Sequence, residues 1–273
     1  MEKADIRVIV NAHWKIFTTK ERKVAEYTLN FPEKVVYMTI TELSDELKVG
    51  EGTIVRFCQK LGFSGFHPFK IALAKSLQNE PVSAKDDLIS KLAHEHMQVI
   101  QETSNLLKRK DVEKAAGKII VSRRVYLIGV GASGITALDA FYKFLRIGID
   151  VRFNMDSHLM AMWLAESSTN DCLLAFSQSG STSVVVDMVS SAKKNGTFVI
   201  AVTSYTRSPL TEYADIILLT PTKETPFQSG AIRSKIAQLH VLEVLFEMVR
   251  SKLGSSAEEA IARTASAVEK WIY

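Results

Sequence analysis

Four apolar runs in the second half of the chain constrain the fold more than any other feature. They are RVYLIG from Arg124, CLLAFS from Cys172, FVIAVT from Phe198 and IILLT from Ile216. A strand with one wet face alternates apolar and polar residues, and these runs do not alternate. They read as strands buried on both faces. Helical stretches separate them, at about 135–146, 158–165 and 182–194, with a short strand VRFN at 151–154 and a short helix near Leu210. Two further helices, about 232–252 and 257–270, close the chain. Strands linked by helical crossovers imply a parallel sheet with helices on both faces. The expected fold is an α/β domain.

The first 80 residues read differently, as short helices. One covers about 6–17. Thr19 is the expected cap of a second, which runs to Asn30 and is broken by Phe31-Pro32, because proline disfavours helical geometry in the residue before it. Thr41 is the expected cap of the next, with Leu43 and Leu47 on one face. Gly50 supplies a turn. A helix at about 52–61 follows, and Gly62 ends it in a left-handed conformation. Two short helices joined by a tight glycine turn make the helix-turn-helix pattern. A closing helix covers about 67–77. The polar stretch NEPVSAKDD reads as a linker, and a longer helix of about 86–108 carries an apolar stripe of Leu88, Leu92, Val99, Thr103 and Leu106. The expected organisation is an all-α helix-turn-helix domain at 1–78, a linker and connecting helix at 79–108, and the α/β domain at 109–273.

At about 100° per residue, the helix at 52–61 divides into two sides. Ile54, Cys58 and Leu61 fall on one, with Phe57 at its border. Thr53, Arg56 and Lys60 fall on another, with Gln59 at the flank. The first set can hold the helix on its domain. The second is short-polar and basic, the division a major-groove helix needs. Arg56 suits a guanine edge, Thr53 a thymine methyl or a phosphate, Lys60 a phosphate and Gln59 a base edge. An ordinary solvated helix face would look similar; the capped helix and turn before it favour DNA.

Bulk charge does not decide the matter. Lys and Arg exceed Asp and Glu by 12 to 10 in residues 1–80 and by 22 to 20 in the remainder, for a net charge of +4. Nucleic-acid binding therefore rests on where the bases point. The two cysteines, Cys58 and Cys172, lie far apart in apolar stretches. That argues against a disulfide framework or a zinc site and for a reducing cytoplasmic setting. MEKADIRVIV lacks the apolar core of a signal peptide, and no run of about 18 apolar residues suggests a membrane span. No metal and no cofactor are expected.

Two loops stand at strand ends, and each opens a helix: Gly129-Val130-Gly131-Ala132-Ser133-Gly134 and Ser177-Gln178-Ser179-Gly180-Ser181-Thr182. Ligands of open α/β sheets bind outside the carboxyl ends of strands. Helix N-termini offer unpaired N–H groups and partial positive charge to an anion. Four hydroxyls in the six positions of the second loop suit a phosphate. The first loop alone matches GxGxxG, which also marks dinucleotide binding, as in an NAD-binding redox sensor. That reading wants an acidic residue at the end of the next strand, where Asn154 stands, and leaves the second loop without a role. A purely structural role, as hydroxyl-capped helix starts, stays open.

At these residues a resemblance emerges. TITELSDELKVGEGTIVRFCQKLGFSGFHPFK resembles the helix-turn-helix of the RpiR family of regulators. GVGASG and SQSGST resemble the two phosphosugar loops of a sugar isomerase (SIS) domain, and the likeness covers nearly the whole chain. The resemblance implies a SIS-type parallel sheet flanked by helices on both faces. It implies a transcriptional regulator, a repressor, that binds double-stranded operator DNA as a homodimer or higher homo-oligomer under control of a sugar phosphate. Amino-sugar phosphates such as N-acetylmannosamine 6-phosphate are the class toward which it leans. By the same resemblance Ser133 and Gly131 of the first loop, and Ser177, Gln178, Ser179 and Thr182 of the second, hold the phosphate. His158 reaches the sugar hydroxyls, and Glu224 and Lys235 complete the site. The fold also serves aldose-ketose isomerases, which need a base such as Glu224, His158 or His240. A DNA-reading domain on the same chain favours a sensor, so no catalytic residue is assigned.

Overall fold

The computed structural model describes residues 6–77, 88–221 and 232–271. They form two compact units that part inside a helix, after Leu92. The first unit is helical. Its helices are α1 (Ile6–Ala12), α2 (Thr19–Asn30), α3 (Pro32–Tyr37), α4 (Ile40–Leu47), α5 (Glu51–Lys60) and α6 (Phe66–Leu77). Two capping boxes start α2 and α4. Thr18 Oγ1 accepts from the Glu21 amide while the Glu21 carboxylate accepts from the Thr18 amide, and Thr39 and Glu42 do the same. The caps are thus Thr18 and Thr39 rather than Thr19 and Thr41. The Thr-x-x-Glu spacing satisfies two otherwise unpaired N–H groups reciprocally, and neither Thr19 nor Thr41 has a Glu three residues on. Thr41 instead donates to Glu51 Oε1 at 2.6 Å. Pro32 breaks α2 as expected and then opens α3 at its first position, where its missing N–H costs nothing. Phe17, Val24, Leu43, Ile54, Phe57, Phe69 and Leu73 form the core.

The turn between α4 and α5 corrects an expectation. Gly50 has φ −70° and ψ 148°, an ordinary extended conformation. The left-handed residue is Lys48, at φ 52°. Gly62 does take a positive φ, of 88°, after α5.

Helix α7 (Leu88–Leu106) runs up to α8 (Arg109–Val121), which helical periodicity alone passed over. Val112, Ala115, Ala116 and Ile119 of α8 are buried, one stripe at three- and four-residue steps. Its C-terminal run of β-branched residues weakens the helical signal. Of the expected stripe on α7, Val99 and Thr103 are buried, while Leu88, Leu92 and Leu106 are exposed.

The second unit carries a five-stranded sheet: β1 (Arg124–Ile128), β2 (Val151–Arg152), β3 (Asp171–Phe176), β4 (Phe198–Thr203) and β5 (Ile216–Leu219). Its order is β2-β1-β3-β4-β5, and all neighbours are parallel. The intervening helices are α9 (Ala132–Arg146), α10 (Ser157–Ala165) and α11 (Ser183–Lys194), with α12 (Ile232–Leu253) and α13 (Ser255–Glu269) closing the chain. The short helix expected near Leu210 is a 3-10 turn, Thr211–Tyr213. Alternate strand residues feed two cores. Val125, Leu127, Leu174 and Ile200 pack with α8, α9, α12 and α13 on one face. Tyr126, Leu173, Val199 and Ala201 pack with α10 and α11 on the other. Burial on both faces explains why the runs are continuously apolar. The strand order reverses between β1 and β3, so both loops of interest leave the sheet side by side at that switch point.

Candidate functional site

On the helical unit, α5 buries Thr53, Ile54, Phe57 and Cys58. Arg56 and Gln59 are exposed, as expected. Thr53 and Lys60 are not placed as the periodicity implied. Thr53 is only 7% exposed, and Arg56 Nη2 lies 3.5 Å from its Oγ1. Lys60 donates to Glu21 Oε2 at 2.7 Å and to the Ile16 carbonyl at 3.0 Å. The reason is tertiary. The start of α2 lies against this side of α5, where Thr18, Thr19, Lys20, Glu21, Thr53, Arg56 and Lys60 line one groove. Burial pushes the Glu21 carboxyl up, but bonds from Lys60 and Thr18 outweigh it and leave the group below its ordinary value. The outward face is therefore Gly52, Arg56 and Gln59, with Val55 half-buried beside them. Nothing near Lys60 in sequence announces its partner 39 residues away.

On the α/β unit, α9 begins at Ala132 rather than near 135, so Ser133 lies in its first turn. A Cβ on Gly129 would stand 2.5 Å from the Ser133 carbonyl oxygen. Only glycine lets the helix start press this closely on the end of β1. Gly131 is exposed and caps α9 with no side-chain hydrogen bond. In the second loop Gly180 has φ 60°, and a Cβ there would collide with the Ser208 side chain. Thr182 caps α11, again with no side-chain hydrogen bond. Both helix starts thus keep their N–H groups clear of side-chain caps, against the reading in which the hydroxyls are caps.

The hydroxyls differ in what they touch. Ser177 is 3% exposed, and its Oγ is buried with no hydrogen-bond partner among the described residues. A buried polar atom left without a partner costs about 1–3 kcal/mol and asks for an explanation. Ser133 Oγ accepts from Gln238 Nε2 at 3.0 Å. Ser179 Oγ accepts from the Ser181 amide at 3.2 Å, which shapes the turn. The amide of Gln178 faces β5: its Nε2 donates to the Pro221 carbonyl at 3.3 Å, and its Oε1 accepts from Thr220 at 3.4 Å.

The remaining candidates are scattered. The His158 side chain is exposed, and its backbone amide donates to Asp156 Oδ1 at 2.8 Å, so the residue lies in a helix cap. Lys235 is half-buried in the first turn of α12. Glu224 lies outside the described residues. His240 Nε2 pairs with Ser104 Oγ at 2.8 Å. Burial pushes both cysteine thiols up to about 12, so neither is a ready nucleophile. Among the described residues no three His, Cys, Asp or Glu side chains are grouped to hold a metal, and no helix is long and apolar enough to cross a membrane. Gln238, Ser204 and Thr220 are site neighbours that the sequence reading missed. A glutamine in the apolar stretch IAQLHVL was the available signal for the first.

Residues 6–80 match the helix-turn-helix domain of the rpiR family, and residues 118–248 match the SIS domain. The HTH-type transcriptional regulator RpiR of Escherichia coli K12 is 31% identical over 241 residues, 85% of this chain and 81% of that one. This chain belongs to the RpiR family of transcriptional regulators. An uncharacterized HTH-type transcriptional regulator of Haemophilus influenzae is 34% identical over 253 residues, 88% of each chain. The structure of the Vibrio vulnificus NanR protein, solved in complex with ManNAc-6P, superposes with a TM-score of 0.87 at 30% identity over 97% of this chain and 98% of that one. The sugar isomerase domain of an RpiR transcription factor from Sphaerobacter thermophilus shares the fold, with a TM-score of 0.59 at 17% identity over 66% and 99% of the two chains. Helices α4 and α5 fall within the stretch that matches the helix-turn-helix domain, and the loops after β1 and β3 fall within the stretch that matches the SIS domain.

Proposed function

We propose that this RpiR-family regulator is a repressor whose operator affinity is set by a sugar phosphate bound at the ends of β1 and β3. One observation carries the reading. At the switch point of the sheet, two helix starts without side-chain caps flank a buried Ser177 hydroxyl that has no partner among the described residues. A phosphate supplies what that arrangement lacks: acceptor oxygens for the hydroxyl and the unpaired N–H groups, and negative charge for two helix dipoles. Ser133, Ser177, Ser179 and Thr182 hold the phosphoryl group, with Gly131 giving backbone access. Gln178 acts from the β5 side. His158, Lys235 and Glu224 belong to the sugar end. The sugar is an amino-sugar phosphate of the N-acetylmannosamine 6-phosphate type, supported by the likeness to NanR solved with that ligand.

Arg56 and Gln59 read base edges, while Thr53 and Lys60, held against α2, do not reach the DNA. The protein works in the cytoplasm as a homodimer or larger homo-oligomer. The exposed residues Ile135, Leu138, Tyr142 and Leu145, at three- and four-residue steps along α9, support self-association. Half-sites ~34 Å apart then match paired reading helices. The ligand is bound, not converted. Linkage makes the coupling reciprocal: a sugar that weakens operator binding is itself held less tightly by the DNA-bound protein.

The test is a thermal-shift screen of the full chain against sugar phosphates and their dephosphorylated forms. A ligand that binds the native state raises its melting temperature by mass action. The expected result is a rise with N-acetylmannosamine 6-phosphate and none with N-acetylmannosamine. Ser179→Ala abolishes the rise. A screen in which no sugar phosphate shifts the melt overturns the assignment.

A further inference from the structure

We propose that Gln238, on α12, is a positioning residue that aims the Ser133 hydroxyl at the ligand's phosphate. The inference rests on the phosphosugar reading of the strand-end site. Gln238 is 1% exposed, on a helix face it shares with Ala237, Val241, Leu242 and Leu245. An amide in such surroundings is costly unless hydrogen-bonded. Both of its ends are satisfied, and both partners lie in the opening turns of α9. Nε2 donates to Ser133 Oγ at 3.0 Å, and Oε1 accepts from Thr136 Oγ1 at 3.2 Å.

The consequence follows from the inventory of a hydroxyl, which has one proton to donate and two lone pairs. With one lone pair taken by Gln238, the Ser133 proton has no acceptor among the described residues. Ser133 lies in the first turn of α9, where backbone N–H groups already face outward past Gly131. The hydroxyl adds a donor on the same side. Had the amide accepted from Ser133 instead, the proton would be spent inside the protein and a lone pair would face the anion. Gln238 thereby turns Ser133 from an acceptor into a donor without touching the ligand.

The test is calorimetric titration of the full chain with N-acetylmannosamine 6-phosphate in five forms: wild type, Gln238→Met, Gln238→Glu, Ser133→Ala and Ser133→Ala/Gln238→Met. Gln238→Met should bind about fivefold more weakly, the scale of one net hydrogen bond. In the Ser133→Ala background the same change should have no further effect. Gln238→Glu should be weaker still at pH 8, since a carboxylate only accepts and draws the Ser133 proton inward. Measured against wild type at each pH, it should recover toward pH 5 as the acid regains a donor. Equal binding by wild type and Gln238→Glu at pH 8 overturns the proposal. So does a loss that persists unchanged in the Ser133→Ala background, because that marks a merely structural role. Wild type that binds no phosphosugar overturns the site itself, and this inference with it.

Discussion

At the turn of the helical unit, a Cβ added to Gly50 would meet nothing within 4 Å, while at the first strand-end loop of the α/β unit a Cβ on Gly129 would stand 2.5 Å from a backbone oxygen. The same residue type does different work in the two units. On the proposed reading the helical unit works through side chains: Arg56 and Gln59 project from a helix held by the Phe57 and Ile54 behind it. On the same reading the α/β unit works through backbone N–H groups and short hydroxyls at strand ends. A side-chain site tolerates change in its scaffold as long as the face stays outward. A backbone site fails when the chain moves by the width of a methyl group.

Substitutions can break that contrast, and the largest effect belongs to Gly129→Ala. It should cost about 3 kcal/mol in urea unfolding of the α/β unit and abolish phosphosugar binding, because backbone cannot yield as a flexible side chain can. Arg56→Ala should come next. It should weaken operator binding by about tenfold or more in a gel-shift titration, with phosphosugar affinity unchanged. Ser177→Ala sharpens the comparison further. Phosphosugar affinity should fall by about fivefold, while the melting temperature of the free protein holds or rises, since the change removes a buried hydroxyl that has no partner. A drop in melting temperature without loss of binding would reassign Ser177 to the scaffold.

Lys70 is a buried charge of the helical unit, and it predicts a smaller, pH-dependent effect. Burial pushes its ammonium down from the ordinary 10.5 to about 8, against the pull of Glu42, and its Nζ donates to the Met38 carbonyl at 2.9 Å. The unfolded chain therefore holds this proton more tightly than the folded one. The Lys70 contribution to stability is least favourable below about pH 8 and improves as pH rises from there toward 10.5. Lys70→Met should remove that rise, read as the wild-type minus variant difference in unfolding free energy at pH 7 and pH 10. The smallest effect is expected at Gly50→Ala, within about 0.5 kcal/mol of wild type, since φ there suits any residue. A large loss at Gly50 would erase the contrast with Gly129.

The strands, the two strand-end loops and the helix pair were legible before any coordinates, because each is a local pattern. Continuous apolar runs mean two covered faces, glycine and serine after a strand mean a close turn, and apolar residues at helical spacing mean a buried stripe. The helix caps were misplaced by one and two residues, yet the Thr-x-x-Glu spacing that corrects them was present at Thr18 and Thr39. The outward face of α5 was partly legible. Arg56 and Gln59 follow from periodicity, but Thr53 and Lys60 do not, because α2 covers that side.

Sequence by itself determined the class of each unit and the positions of the two strand-end loops, since backbone and local spacing carry that information. Tertiary structure alone decided that Lys60 answers Glu21, that Gln178 turns to Pro221, that Ser177 is left unpaired among the described residues and that Gln238 reaches Ser133 across 105 residues. Those pairings join side chains that no local pattern brings together, and their distances exist only once the helices have packed.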